Sequence, residues 1–235
     1  MTADEPKDDR HPTFASPPCF LHELGSGSPA VQSLDPQQTT DVTRWRKAER
    51  ARLITDRLAS SIAERQAWTR SIAEELDRLI GDVNGMIISV YWPFRGEPDL
   101  RAWMKTIVKG GGACALPIVV QRGQPLIFRC WKEGAPLVRG VWNIPIPATG
   151  PEVIPDFVIA PVVGFDPQSY RLGYGGGFFD RTFAALPRRP RVLGIGYTFQ
   201  ALPTIYPQPH DIPMDAIITE AGVQALNTAC KTLHP

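Results

Sequence analysis

Residues 156–180 read DFVIAPVVGFDPQSYRLGYGGGFFD. The first ten, Asp156–Phe165, are apolar and β-branched, the composition of a buried strand. The last ten, Arg171–Asp180, carry glycine at 173, 175, 176 and 177, and a short helix is expected near Gly177–Leu186. A strand that runs through a glycine loop into a helix is the element order of an α/β sheet that binds its ligand outside the carboxyl ends of its strands. Glycines lack Cβ, so successive backbone N–H groups can converge on an anion. The helix N-terminus adds a partial positive charge. Arg171 supplies a full charge and a bidentate fork. Asp180 is placed to hold a magnesium ion against phosphates.

Outward from this loop the chain alternates. Upstream, Gly85–Trp92, Ala113–Val120 and Pro125–Trp131 read as strands, with a helix over Pro98–Lys109. Downstream, Arg191–Tyr197 and Asp215–Glu220 read as strands and Ala221–Lys231 as a closing helix. Two helices precede the sheet, one from Thr43 and one near Ile62–Ile80. This pattern predicts a three-layer α/β/α fold with a mostly parallel sheet. Residues 41–235 are expected to form one such domain. Residues 1–40 lack periodicity and read as a disordered extension. Within it Ser16–Leu24, SPPCFLHEL, offers Cys19, His22 and Glu23, but one Cys and one His make a weak metal site, and docking of Phe20 and Leu21 is the simpler meaning.

Composition narrows the function. A formal net charge of +1 gives no global field for nucleic acid or an anionic membrane. No apolar run approaches the ~20 residues that span a bilayer. The four cysteines form no CxxC pair, and no secretory signal is visible, so free thiols in a reducing cytoplasm are expected. Walker A is absent, because no Gly-Lys-Ser/Thr occurs. A GxGxxG fingerprint fails at Phe178 when started from Gly173, and at Phe199 when started from Gly194. On the first helix Arg46, Arg50, Leu53 and Arg57 share a narrow stripe at about 100° per residue. A solvated charged face is the ordinary meaning of such a stripe, and an anion clamp is the sharper one.

RLGYGGGFFD resembles the signature of the 5-formyltetrahydrofolate cyclo-ligases, which runs Arg-Leu-Gly-x-Gly-x-Gly-aromatic-aromatic-Asp. Asp156–Asp166 is similar to the strand that leads into it. Gly96–Asp99, GEPD, resembles the family's acidic turn, and Ala115–Val119 its next strand. The Gln200 region and His210–Asp215, HDIPMD, resemble its C-terminal segment, and the Arg46/Arg50 helix its basic N-terminal helix. The likeness runs from about 43 to 220. It implies a sheet similar to the ribose-phosphate isomerase and CoA-transferase group. It also implies a reaction. The formyl oxygen of 5-formyltetrahydrofolate attacks the γ-phosphate of ATP, releasing ADP and giving an imidate-like phosphate; N10 then closes the ring, and phosphate leaves. All the nucleophiles belong to the substrates, so no Ser-His-Asp or Cys-His arrangement is needed, and positioning with charge stabilisation suffices.

The resemblance assigns roles. Arg46, Arg50 and Arg171 would hold ATP phosphates together with Leu172, Gly173, Tyr174, Gly175, Gly176, Gly177, Phe178 and Phe179. Asp180 and Asp215 would reach Mg2+, although Asp215 has an equal claim to be a turn acid before a strand. Glu97 would accept paired N–H donors of the pterin, beside Trp92, Trp142, Tyr174 and Phe178. Three departures stand out. Arg46 replaces a lysine frequent in the family. Ile146, in Asn143–Pro147, stands where the family has glutamate. Phe178-Phe179 replaces a pair in which tyrosine is frequent. Ile146 and the forty-residue extension, longer than the family's usual start, motivate an alternative: a divergent paralogue that keeps the ATP site but acts on another substrate, or binds folate or nucleotide as a regulator.

Overall fold

A computed structural model describes residues 36–226. Its elements are α1 (Pro36–Ala59), α2 (Ile62–Ile80), β1 (Ile87–Ser89), α3 (Arg101–Lys109), β2 (Ala113–Val119), β3 (Leu126–Trp131), β4 (Leu137–Arg139), β5 (Pro145–Pro147), β6 (Glu152–Val153), β7 (Phe157–Pro161), β8 (Gly164–Phe165), β9 (Arg171–Leu172), α4 (Phe178–Ala185), β10 (Arg191–Ile195), β11 (Ala216–Thr219) and β12 (Gly222–Leu226). Eight strands form one sheet in the order β12-β11-β10-β7-β1-β2-β3-β6. The central pairings β11-β10, β10-β7, β7-β1 and β1-β2 are parallel, while β12, β3 and β6 join antiparallel at the edges. The mostly parallel α/β architecture is therefore present.

Strand alternation divides the core. Phe157 and Ile159 of β7, with Leu193, Ile195 and Ile218, pack under α2 and α3. Val158 and Ala160, with Val192 and Ile217, face the other side, where Phe183 of α4 covers them. A third cluster joins Trp45 and Leu53 of α1 to Val163, Leu172, Leu202 and Ile205. α1 is thereby held over the loops that leave the sheet.

Local signals explain the boundaries of α2. Ser61 accepts the Glu64 N–H and Glu64 accepts the Ser61 N–H, a reciprocal cap that satisfies two end donors. Gly81, at φ 72°, ends the helix. Three expectations change. α1 starts at Pro36, seven residues ahead of Thr43, inside the stretch expected to be disordered. Asp156–Phe165 is two strands rather than one. Pro161 has no N–H to extend the ladder, and the chain turns at Gly164 to pair β8 with β9. A Cβ at Gly164 would lie 2.9 Å from Leu53 of α1. The closing helix is also not formed where it was expected to begin. Gly222 at φ 90° reverses the chain, and β12 runs antiparallel to β11 with Ala225 turned inward. Residues 1–35, with the Ser16–Leu24 segment, and residues 227–235 lie outside the described residues. Cys114 and Cys130 are free thiols. No helix among the described residues is long and apolar enough to cross a membrane.

Candidate active site

A cleft of about 220 Å³ opens at the carboxyl ends of β1, β2 and β7. It is lined by Arg46, Arg50, Trp92, Glu97, Trp142 and the whole run Arg171–Asp180, so residues far apart in the sequence meet in one place. Asp215 is the exception. Its buried carboxylate accepts the Val192 N–H at 2.5 Å and faces Arg189 at 3.4 Å, which ties β11 to β10. It is a structural acid. Asp215→Ala should lower stability by about 1–3 kcal/mol and leave the kinetic constants unaltered; collapse of turnover in the folded variant would return Asp215 to the site.

One end of the cleft is built from three arginines with different duties. Arg46 is almost fully committed. Its Nε donates to the Ile205 carbonyl at 3.0 Å, and one terminal nitrogen reaches the Tyr206 carbonyl at 2.9 Å and Asp211 at 2.5 Å. It acts as a strut between α1 and the segment 205–211. Arg50 holds the Gly173 carbonyl at 2.7 Å through Nε alone. Burial, followed by the charge of Arg46, lowers its pKa, as expected of a cation held beside another cation. Gly175, at φ 89°, lets the loop pass close to this guanidinium: a Cβ there would sit 3.4 Å from the Arg50 Cζ.

Arg171 is buried. It donates to Asp180 at 3.1 Å and lies 4.8 Å from the Phe179 ring centroid, while its Nε has no partner. A buried guanidinium with an unused donor is the arrangement expected of an anion site. Burial pulls the Arg171 pKa down, and Asp180 and Asp211 oppose that effect. Gly177, at φ 61°, caps α4, whose N-terminus carries Phe178, Phe179 and Asp180. Arg181 bonds the Gly176 carbonyl and lies over the Phe178 ring, which fixes the loop from behind.

The other end is aromatic and holds one acid. Glu97 is buried and accepts the Phe94 N–H and the Tyr174 hydroxyl, both at 2.9 Å. Burial pushes its pKa up to about 7, against the charge of Arg57. Trp142 is not a core residue. It is 52% exposed, sits at φ 56° between β4 and β5, and approaches the Tyr174 and Phe178 rings at 6.3 and 6.1 Å. A left-handed backbone at a tryptophan costs about 1–3 kcal/mol, and such strain clusters at ligand sites. Ile146 of β5 lines the same wall. Trp92 stacks edge-on against Trp131 and is covered by Arg101. Beyond Glu97 and Trp92 lies a wider groove of about 1030 Å³ between α2 and α3.

The model of the 5-formyltetrahydrofolate cyclo-ligase family matches residues 42–220, which contain this whole cleft. The chain belongs to the 5-formyltetrahydrofolate cyclo-ligase family. Curated cyclo-ligases from Mycolicibacterium smegmatis and Escherichia coli are 29% and 28% identical to it, over 61% and 58% of this chain and 79% of each relative. A solved 5,10-methenyltetrahydrofolate synthetase of Aquifex aeolicus superposes with a TM-score of 0.66 at 27% identity, covering 76% of this chain and 91% of that one. One from Mycoplasma pneumoniae shares the fold with a TM-score of 0.62 over 74% and 98%. Membership of the cyclo-ligase family makes the chain an enzyme of the ligase class.

Two residues, Asp211 in the cleft and Arg57 behind Tyr174, had no assigned role in the sequence-based reading. Asp211, four residues before Asp215, is the acid of HDIPMD that lines the cleft. The sequence offers two equivalent aspartates there, and only the turn at Gln208–Asp211 selects between them. Arg57 belongs to the arginine stripe of α1, and its hydrogen bond to Tyr174 is a tertiary fact that spacing cannot supply.

Proposed function

We propose that this protein converts 5-formyltetrahydrofolate to 5,10-methenyltetrahydrofolate with ATP and Mg2+. One observation carries the proposal: the glycine loop and the candidate folate carboxylate form one site, joined by the hydrogen bond from Tyr174 to Glu97. A loop that cradles phosphate is thus held beside an acid suited to a pterin.

The residues fit both groups. Arg50, the spare donor of Arg171 and the N-terminus of α4 suit a polyphosphate. Asp180 and Asp211 line the same end, and Mg2+ needs only one or two carboxylates when phosphates and water complete its shell. ATP supplies the phosphoryl group that turns the formyl oxygen into a leaving group, and Mg2+ spreads the phosphate charge. The chain supplies the rest. Arg171 and the loop N–H groups hold negative charge where it grows. Arg46 locks the segment 205–211 that carries Asp211. Glu97 accepts N–H donors of the pterin and orients the formyl group toward the loop. Trp142, Tyr174 and Phe178 exclude water from the face where N10 closes the ring and phosphate departs.

Purified protein with ATP, Mg2+ and 5-formyltetrahydrofolate should develop the absorbance of methenyltetrahydrofolate. Folded, ATP-binding protein that yields none would overturn the proposal. A paralogue with a changed second substrate is favoured by one observation, the apolar Ile146 in the wall of the cleft. Calorimetry separates the two: binding of ATP without binding of 5-formyltetrahydrofolate selects the paralogue.

A further inference from the structure

Arg57 is wholly buried, a costly position for a guanidinium that is not strongly bonded. Its bonds reach three separate segments. Nε donates to the Arg95 carbonyl at 2.8 Å, one terminal nitrogen to the Val162 carbonyl at 3.3 Å, and the other to the Tyr174 hydroxyl at 2.6 Å. The Tyr174 hydroxyl in turn donates to Glu97. When Glu97 is ionised the direction of this chain is fixed, because a guanidinium only donates and an ionised carboxylate only accepts. The tyrosine hydrogen therefore has one orientation.

We propose that Arg57 is a positioning residue of the reaction: through the Tyr174 hydroxyl it holds the Glu97 carboxylate in the place, and in the ionised form, that accepts the N–H donors of the substrate. The proposal rests on the function given above. Arg57 touches no substrate, but it braces the glycine loop and the acid turn 94–97 at once, so it sets the spacing of the two halves of the cleft. The groups around Glu97 explain why charge is part of the role. Arg57 faces it from α1, Tyr174 from the glycine loop and Tyr91 from the segment after β1, while Tyr197, after β10, bonds the Gly96 carbonyl at 3.2 Å. Asp99, on the same turn, is paired with Arg101. Among these neighbours Arg57 is the cation directed at Glu97. Burial raises the carboxyl and the charge of Arg57 opposes it most strongly. Burial also raises the Tyr174 phenol, which keeps the bridging hydroxyl protonated.

The test compares Arg57→Met, Arg57→Lys and Tyr174→Phe with the wild type. Thermal unfolding, kcat and KM for each substrate are followed across pH. Arg57→Met should raise KM for 5-formyltetrahydrofolate by about tenfold or more, the value of a hydrogen bond to a charged group. KM for ATP should change far less. The acid limb of kcat/KM should move to higher pH, because Glu97 then ionises later. Arg57→Lys keeps the charge without the fork and should recover part of both effects. Tyr174→Phe leaves Arg57 in place, breaks the relay, and should move the acid limb in the same direction. If Arg57→Met does not fold, the other two decide. Folded variants with an unmoved acid limb and folate KM overturn the proposal, as does an equal rise in KM for both substrates. A wild type that neither binds nor converts 5-formyltetrahydrofolate overturns the function instead, a distinct result.

Discussion

Arg171→Ala is expected to lower turnover by about 10³-fold or more, the usual effect of removing an arginine that meets growing phosphate charge. The fold should survive. Arg171 makes one ion pair, to Asp180, and its Nε is already unpartnered, so little native bonding is lost. Asp180 keeps the Ile212 N–H at 3.3 Å. Circular dichroism should match the wild type while methenyltetrahydrofolate formation falls. Arg171→Lys should regain only part of the loss, because an ammonium cannot reproduce a planar fork at a site shaped by the Phe179 face. Arg171→Ala protein with full turnover would remove this residue from the phosphate cradle and shift its task to Arg50.

The contrast between Arg46 and Arg50 shows where sequence stops informing. Both sit on one stripe of α1, one turn apart, and spacing makes them equivalent. What separates them is the carbonyls of Ile205 and Tyr206 and the carboxylate of Asp211, about 160 positions along the chain. Elements set by local chemistry were legible: α2 spans Ile62–Ile80 because its cap lies at Ser61 and Glu64. The glycine loop was legible for a similar reason, since its strand, turn and helix adjoin. β12 was not, because a five-residue strand after a tight turn has the same apolar spacing as one turn of helix. The β4–β5 hairpin was also not legible. It is three residues on each side, with two prolines in β5, and Trp142 between its strands packs near Tyr174 and Phe178, more than thirty residues along the chain. That hairpin carries Trp142 and Ile146, so one wall of the cleft is the part least readable from sequence.

Glu97→Gln should act in opposite directions on stability and on function. Kinetically, the amide offers one acceptor where the carboxylate offers two, and its NH2 meets N–H donors of the substrate. A loss of about 10²-fold in kcat/KM for 5-formyltetrahydrofolate is expected from unpaired buried donors, with KM for ATP little changed. Thermodynamically, burial raises the folded pKa from 4.5 to about 7. The folded protein therefore binds more protons than the unfolded chain between those values. The stability that protonated Glu97 contributes is complete below pH 4.5 and is lost as pH rises through about 7. Above that, the ionised buried carboxylate is a net cost on the order of 3 kcal/mol at most. The substituted amide has no such proton linkage, so the variant should unfold at a higher temperature than the wild type at pH 8, with the difference shrinking toward pH 5. A variant less stable than the wild type at pH 8 would mean that the bonds from Phe94, Tyr174 and, through it, Arg57 outweigh the cost of burial. The same bonds proposed to prepare Glu97 for the pterin would then also be holding the cleft together.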